Sequence, residues 1–485
     1  MNKLKSFYLL LITLCCAFNA QAILVLPDVI TNNMVLQQKD ETTFWGKAAP
    51  GKKIMITPSW NNKTYTADID ADGKWKLKIK TPAAGGPYSI TFNDGELLIL
   101  KNIMIGEVWL CSGQSNMEMP LAGWGKIKDY EKEIANAKYP NIRILQVKKA
   151  INSQPQQDFK SNTMGWQECA PSTIANFSAT AYFFARRVIQ DKNIAIGLID
   201  ATWGGTLIES WTSAEALAKV DAFADTVKKI QAMPETTRLT NPHKPTLLFN
   251  GMINPFLPVA IKGVIWYQGE SNASRAYQYR ELFPLMINNW RAKFNRPQLP
   301  FLFVQLANYQ SVNPQPADAA WAELREAQAM ALSLANTGMA VTIDIGETAD
   351  IHPKNKQDVG KRLALLALKK VYKEDVVAEG PMYKSYKVAG NNIRINFKPS
   401  GLVLKTKDGK APLGFAIAGA DKKFYWADAE IIGNSVVVSS KEVKNPVAVR
   451  YAWASNPICN LINDAGLPGS PFRTDDWPGI TFNKK

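Results

Sequence analysis

Histidine is nearly absent from this chain, whose 485 residues include only His243 and His352. A mechanism in which an imidazole takes a proton from a serine therefore has two candidate bases. The same scarcity argues against a metal centre built from several histidines.

Cysteine is also scarce, and two of the five cysteines fall in an N-terminal apolar run. The other three, Cys111, Cys169 and Cys459, are too few for a disulfide framework and include no C-x-x-C pair. At most one disulfide is expected, and no zinc or other metal site is predicted.

Apolar runs long enough to span a bilayer are missing after the first 22 residues, so no integral membrane span is predicted there. Residues 1–22 combine Lys3 and Lys5, an apolar run over 7–18 and the small-residue end Ala20-Gln21-Ala22. This order is typical of a secretory signal peptide cleaved after Ala22. We therefore expect an exported protein, periplasmic or extracellular.

No dense block of arginine and lysine is present, although the formal net charge is +15. Removing the leader takes away two lysines and leaves 55 basic and 42 acidic residues, a net charge of +13. The excess is spread along the chain, which favours solubility or anionic ligands over nucleic acid.

The rest of the chain divides into three regions, as its length suggests. Residues 23–101 contain short alternating segments between turns, which predict a small antiparallel β-sandwich. We expect its strands at 43–46, 53–57, 64–69, 74–79 and 88–92, with Asp72-Gly73 as a hairpin turn.

Residues 102–379 alternate buried-strand runs with helical patterns. Strands are expected at 108–111, 194–199, 264–267, 301–306 and 339–345, and helices at 178–190, 277–294, 321–334 and 356–371. This alternation predicts an α/β fold, with a parallel sheet covered by helices on both faces. Sites in such sheets form beyond the carboxyl ends of the strands.

Residues 380–485 return to a β-rich pattern. Strands are expected at 393–397, 402–406, 424–426, 435–439 and 447–453, and residues 456–476 are interpreted as loop.

The segment Gly106–Pro120 holds the first candidate for chemistry. The apolar run Val108–Cys111 is broken at Ser112-Gly113, so Ser115 falls on the turn after a strand. If a helix starts there, its free N–H groups and dipole favour the negative charge of an acyl-transfer intermediate. Met117 stands where the G-x-S-x-G elbow of α/β-hydrolases needs glycine, so the serine does not belong to that motif.

His352 is the better candidate for the base. It follows a predicted strand, precedes a predicted helix, and has the carboxylates Asp344 and Asp350 close in sequence. His243 lies on a loop between two prolines with no obvious carboxylate before it.

Donors for an oxyanion are available at two strand ends. Gly204-Gly205 offers backbone N–H groups with close approach, and Gln268 offers a side-chain amide. Glu209 and Glu270 could instead suggest a glycosidase carboxylate pair, but that interpretation leaves the serine and the histidine unexplained.

Several stretches together resemble the sialate O-acetylesterase family of carbohydrate esterases, a branch of the SGNH (GDSL-like) hydrolases. The resemblance rests on GQSNMEMP, WGGTLIESW, WYQGESN and DIHPKNKQDVGKRLAL, with LPDVITNNMVLQQ, FNGMINPFLP and GLPGSPFRTDDWPG in support. It implies a flavodoxin-like SGNH hydrolase core between β-rich domains, no cofactor, and removal of acetyl groups from sugars.

Carried over residue by residue, the resemblance implies that Ser115 is the nucleophile and His352 the base. Gly205 and Gln268 would join the Ser115 N–H in the oxyanion hole. The acid stands three residues before the histidine in many SGNH enzymes, where this chain has Ala349. Asp350 or Asp344 could therefore orient the ring, or the site could work as a serine–histidine dyad.

The leading hypothesis is thus a carbohydrate O-acetylesterase acting on O-acetylated sialic acids. An acetylesterase for acetylxylan or another plant polysaccharide is the alternative within the same mechanism. A non-catalytic sugar-binding protein is the alternative of another class.

Overall fold

The computed structural model of the chain describes residues 24–399 and 401–485. The predicted signal peptide, residues 1–22, lies outside this part. No helix in the described ranges is long and apolar enough to cross a membrane. Cys111, Cys169 and Cys459 are all free thiols, so the single disulfide that the sequence allowed is not formed among them.

The first region and the strand that leaves it consist of β1 (Val35–Gln37), β2 (Glu41–Lys47), β3 (Lys53–Pro58), β4 (Tyr65–Asp68), β5 (Lys74–Lys80), β6 (Gly85–Asn93) and β7 (Leu97–Gly113). The central region adds α1 (Ser115–Glu118), α2 (Tyr130–Ala135), β8 (Tyr139–Gln146), β9 (Gln167–Cys169), α3 (Ala179–Lys192), β10 (Ala195–Thr202), α4 (Ala214–Leu217), α5 (Asp221–Gln231), β11 (Gly263–Tyr267), α6 (Ala276–Lys293), β12 (Phe301–Val304), α7 (Ala320–Met330), β13 (Thr337–Ala340) and α8 (Lys356–Lys370).

The C-terminal region contains β14 (Met382–Ala389), β15 (Asn392–Lys398), β16 (Leu404–Thr406), β17 (Phe415–Ala418), β18 (Phe424–Trp426), β19 (Asp428–Ile432), β20 (Ser435–Ser439), β21 (Ala448–Tyr451), β22 (Leu461–Asn463) and β23 (Phe472–Arg473).

Strand β7 is the centre of the main sheet. Its first half pairs antiparallel with β6, and its second half pairs in parallel with β10 on one side and β11 on the other. Strands β12 and β13 continue the sheet beyond β11, again in parallel. Strand β8 continues the sheet in parallel beyond β10, so the six parallel strands stand in the order β8-β10-β7-β11-β12-β13. The chain thus adds strands on both sides of β7, as in a doubly wound sheet. The prediction of a parallel α/β sheet is confirmed.

Helices cover both faces of this sheet. Successive side chains of a strand point to opposite sides, so the strands contact helices on either face. Trp109 of β7 contacts Phe184 of α3, with ring centroids 4.9 Å apart. Trp266 of β11 is in register with Ser112, on the other face from Trp109, and contacts Trp290 of α6 at 5.7 Å. These buried aromatic pairs fix α3 and α6 on opposite faces.

The N-terminal region forms two packed antiparallel layers, as predicted. Strands β2 and β5 make one layer, and β3, β4 and β6 belong to the main sheet. Phe44 and Trp75 of the first layer contact Phe92 of the second at 6.0 and 6.2 Å. Asp72-Gly73 is not a hairpin turn, since β4 pairs with β3 whereas β5 pairs with β2.

The boundary predicted between residues 101 and 102 falls inside β7. The first part of the strand is buried only at Leu100 and Ile103, and residues 105–113 are buried without interruption in the main sheet. There is accordingly no linker at this point.

The strand predicted at 339–345 lies instead at Thr337–Ala340. Val341 and Ile343 are buried in the following loop rather than in the sheet, which explains why the apolar run misplaces the strand end. Residues 456–476 were expected to be loop, yet they contain β22 and β23, two short strands held by β16 and β21.

Helix α7 connects the C-terminal region to the core through hydrogen bonds of Arg325. The buried guanidinium of Arg325 donates hydrogen bonds to the backbone oxygens of Leu306 and Ala307 in the core, and of Ala454 and Ser455 in the C-terminal region, at 2.7–2.8 Å. A buried arginine is tolerated when its donors are satisfied in this way.

A substitution at Gly113 tests the close approach of the β7 and β11 backbones. Its φ of +138° disfavours any side chain, and a Cβ there would stand 2.1 Å from the Tyr267 backbone oxygen. Gly113→Ala should lower the free energy of unfolding by about 1–3 kcal/mol or more. Gly419→Ala, whose Cβ would make ordinary contacts at 3.5 Å or longer, is the control. Equal melting temperatures for the two variants would contradict the close approach.

Candidate active site

The turn after β7 presents Ser115. The Gln114 N–H donates to the Tyr267 oxygen at 3.0 Å, so the turn is tied to the end of β11. The Gln114 side chain accepts longer bonds from the N–H groups of Gly269 and Ser271. The short helix α1 begins at Ser115 itself, with Gln114 as its N-cap.

Ser115 meets His352 across the carboxyl edge of the sheet. Ser115 Oγ lies 2.9 Å from His352 Nε2, although 237 positions separate the two residues. Asp350 Oδ1 lies 3.3 Å from His352 Nδ1 and accepts the His352 backbone N–H at 2.8 Å. With its proton on Nδ1 beside the carboxylate, the ring has Nε2 free to accept the serine proton.

Asp344 does not reach the ring. Its two oxygens accept hydrogen bonds from the Arg362 guanidinium at 2.6 and 2.8 Å. Of the acids that the sequence left open, the structure therefore brings Asp350 to His352 and holds Asp344 elsewhere.

The surroundings lower the pKa values of both His352 and Asp350. Burial is the main cause that lowers the pKa of His352 below 6.5, and the nearby Lys356 ammonium lowers it further, while Asp350 opposes them. Partial burial raises the pKa of Asp350, but hydrogen bonds from Lys354 and the His352 N–H outweigh it, and the net shift is downward. The pair is thus set as a neutral imidazole beside a carboxylate.

Gly205 lies at the surface of the site on the turn after β10. Its φ is +74°, and a Cβ there would face open space, with His243 Cε1 nearest at 4.0 Å. The neighbouring Gly204 N–H is already used, since it donates to Glu118 Oε2 at 2.6 Å. Gly205 is therefore the glycine of this pair left to face a ligand.

Gln268 is not in the predicted position. Its side chain is fully buried, and Nε2 donates both of its hydrogens, to the Thr206 oxygen at 3.1 Å and to Asn272 Oδ1 at 2.7 Å. Its Oε1 accepts from Tyr279 at 2.9 Å. With no free donor, Gln268 supports the turn of Gly205 from beneath, and the structure does not place it in the oxyanion hole.

Three residues that the sequence did not predict for the site also line it: Trp124, Lys149 and Glu118. The Trp124 ring is 5.3 Å from the His352 ring and 53% exposed. The Lys149 ammonium lies 2.7 Å from Glu118 Oε1 and 5.5 Å from the Trp203 ring centroid. Glu118 is part of the GQSNMEMP segment, but nothing local in sequence links it to Lys149 or Gly204.

The glycosidase alternative finds no support in the geometry. Glu209 is paired with Arg275 at 2.6 Å, whereas Glu270 accepts from Asn116 at 2.6 Å. Over residues 24–399 and 401–485, no three His, Cys, Asp or Glu side chains are grouped to hold a metal ion.

Comparisons with known proteins point to one family. A family model described as "Carbohydrate esterase, sialic acid-specific acetylesterase" matches residues 105–369. The sialate O-acetylesterase of Homo sapiens is 29% identical over 94% of this chain and 94% of its own, and that of Mus musculus is 28% identical over 91% and 93%. The crystal structure of a carbohydrate acetylesterase from Xanthomonas citri matches with a TM-score of 0.85 and 40% identity, over 94% of this chain and 100% of that one.

The site predicts how Ser115 responds to pH. Labelling by a serine-directed phosphonate requires neutral His352, so its rate should fall as pH falls through the pKa of His352. Because burial and Lys356 lower that pKa, the midpoint should lie below pH 6.5. His243→Ala should leave the profile unchanged, since His243 is exposed and makes no contact with Ser115 Oγ. A midpoint above 6.5 would contradict the assignment.

Asparagine variants of Asp350 and Asp344 form a matched pair for a second test. Asp350→Asn should slow labelling by about 10² to 10⁴, because an amide no longer fixes the Nδ1 proton. Asp344→Asn should lower thermal stability through loss of the Arg362 ion pair, with a mild effect on labelling. A mild effect of Asp350→Asn would indicate a dyad.

Proposed function

Because the chain belongs to the carbohydrate esterase family of sialic acid-specific acetylesterases, we propose that it removes O-acetyl groups from sialic acids by serine-nucleophile acyl transfer. The observation that carries the proposal is the 2.9 Å contact between Ser115 Oγ and His352 Nε2. Both residues fall within the matched segment.

The first half-reaction forms an acetyl-enzyme. Ser115 Oγ attacks the acetyl carbonyl carbon while its proton moves to His352 Nε2, and Asp350 stabilises the imidazolium through Nδ1. The N–H groups of Ser115 and Gly205 are the donors proposed for the oxyanion. Collapse of the intermediate breaks the bond to the sugar oxygen, which leaves with the proton from Nε2.

The second half-reaction reverses these roles. A water molecule gives its proton to His352 Nε2 and attacks the acetyl carbonyl, and collapse returns the proton to Ser115 Oγ as acetate leaves. Each cycle consumes one ester and one water and needs no further reactant.

The core fits the SGNH hydrolase class that the sequence resembles. Support comes from the parallel sheet with strands added on both sides of β7, and from the position of Ser115, Gly205 and His352 in segments that follow parallel strands. A core of this kind leaves specificity to the loops around the site.

The rim of the site suits a sugar. Trp124 and Trp203 offer ring faces for a pyranose, and the Lys149 ammonium lies beside Trp203. Because this ammonium is paired with Glu118 Oε1 at 2.7 Å, the choice of a sialic acid over a neutral xylan is drawn from the family and not from this charge. The order of residues in the predicted leader, 1–22, supports export to the periplasm or the extracellular space.

Activity on O-acetylated sialic acid, compared with acetylated xylo-oligosaccharide, tests the function and its substrate together. We expect a higher kcat/KM for the sialic acid. Ser115→Ala and His352→Ala should each lower kcat by about 10⁴ or more with unchanged circular dichroism, because the pair acts as a unit. Preference for the xylo-oligosaccharide would indicate the plant-polysaccharide alternative, and no release of acetate would indicate a sugar-binding protein.

Trp124 should contribute to binding rather than to chemistry. Trp124→Ala should raise KM for a sugar ester by about 2- to 10-fold with little change in kcat, the size expected for loss of a ring contact. Tyr386→Ala, which removes another exposed aromatic ring in the C-terminal region, is the control. A loss confined to kcat would show that Trp124 acts on His352 instead.

A further inference from the structure

A buried lysine next to the site has no part in the mechanism described above. Lys356 is the first residue of α8 and is fully buried. Its Nζ donates to Asn116 Oδ1 at 2.6 Å and lies 5.5 Å from the Tyr267 ring centroid. Lysine is rarely buried completely unless it is paired, so its position calls for a role.

Asn116 connects this lysine to a carboxylate. Its Nδ2 donates to Glu270 Oε1 at 2.6 Å, while its Oδ1 faces the ammonium. An ammonium only donates and a carboxylate only accepts, so the amide of Asn116 has one permitted orientation. The bridge therefore holds the asparagine firmly.

The same asparagine reaches the loop that carries the base. Asn116 Nδ2 also donates to the Ile351 backbone oxygen at 3.0 Å. Asn116 follows Ser115 and Ile351 precedes His352 in the chain. One amide thus joins the two segments whose side chains meet at the reacting atoms.

We propose that Lys356, Asn116 and Glu270 form a buried bridge that positions Ser115 against His352, with Lys356 as its positioning residue. The inference rests on the proposed function only for its kinetic readout. Without the ammonium, Asn116 Oδ1 loses its donor and the amide is held only through Nδ2, by Glu270 and Ile351, so the turn and the loop are held less firmly. Displacements of about 1 Å can slow an enzyme by about 10²-fold.

The charge of Lys356 also acts on His352. The titrating groups that influence the ring are Asp350 and Lys354 from its own loop and Lys356 from α8. Burial lowers the pKa of Lys356 to about 7, while the Glu270 carboxylate favours the ammonium. Lys356 therefore still carries charge where His352 titrates, below pH 6.5, and its removal should raise the pKa of His352.

Two substitutions separate the charge from the hydrogen bond. Lys356→Gln removes the charge but keeps a donor for Asn116, whereas Lys356→Met removes both. Lys361→Met, an exposed position on the same helix, is the control. If Lys356→Met does not fold, Lys356→Gln carries the test.

Because the chain has only two histidines, the titration of His352 can be followed directly by NMR. Proton NMR of the two imidazole rings should show the His352 midpoint moved to higher pH in both Lys356 variants. His243, exposed beside Gly205, supplies the second imidazole signal and serves as the internal reference. Lys361→Met should leave both midpoints as in the wild type.

Kinetics on an aryl acetate complete the test. Lys356→Met should lower kcat by about 10- to 100-fold with little change in KM, and Lys356→Gln by less. A lowered melting temperature with unchanged kcat and His352 midpoint would overturn the proposal, because Lys356 would then be only structural. A wild type that titrates as described but hydrolyses no ester would contradict the proposed function and not the bridge.

Discussion

The hydrogen bond between Ser115 Oγ and His352 Nε2 is the interaction on which the organisation of this molecule depends. It joins the end of the first strand of the parallel sheet to the loop after the last one, so it exists only when the whole sheet is assembled in its order. Each strand between them must be in register for the two side chains to meet. The buried aromatic residues on both faces hold that register, and their burial is the main stabilising contribution.

The buried polar groups next to the site connect its loops by hydrogen bonds, whereas the aromatic residues pack the helices on the sheet. Gln114, Gln268, Asn116 and Lys356 are buried, and each makes hydrogen bonds to segments distant in the chain. Leaving one such group without a partner costs about 1–3 kcal/mol, so the network accepts few alternative arrangements. This demand for complete pairing keeps the loops around Ser115, Gly205 and His352 in one conformation.

Much of this could be predicted from the sequence, because strands and helices of the core carry strong periodic patterns. The alternation of strand and helix depends on local residues, and the structure has it as expected. The choice of Ser115 and His352 also depended on local residues, and the structure brings the two side chains together. The end of β13 was misplaced because Val341 and Ile343 are buried in a loop, and periodicity cannot distinguish that burial from a strand. The inward position of Gln268 could not be predicted either, since the acceptor Thr206 lies on the turn after β10, 62 positions away in the chain, and only Asn272 is local.

We propose that Ser115 carries the acetyl group between the two halves of the reaction. Acid quenching of the wild-type protein during turnover of an aryl acetate, followed by peptide mass spectrometry, tests it most directly. We predict one acetyl group on the peptide that contains Ser115, present during turnover and absent once the ester is exhausted. An acetyl group on another side chain, or acetate release at full rate with no acetylated peptide at any time, would contradict the account.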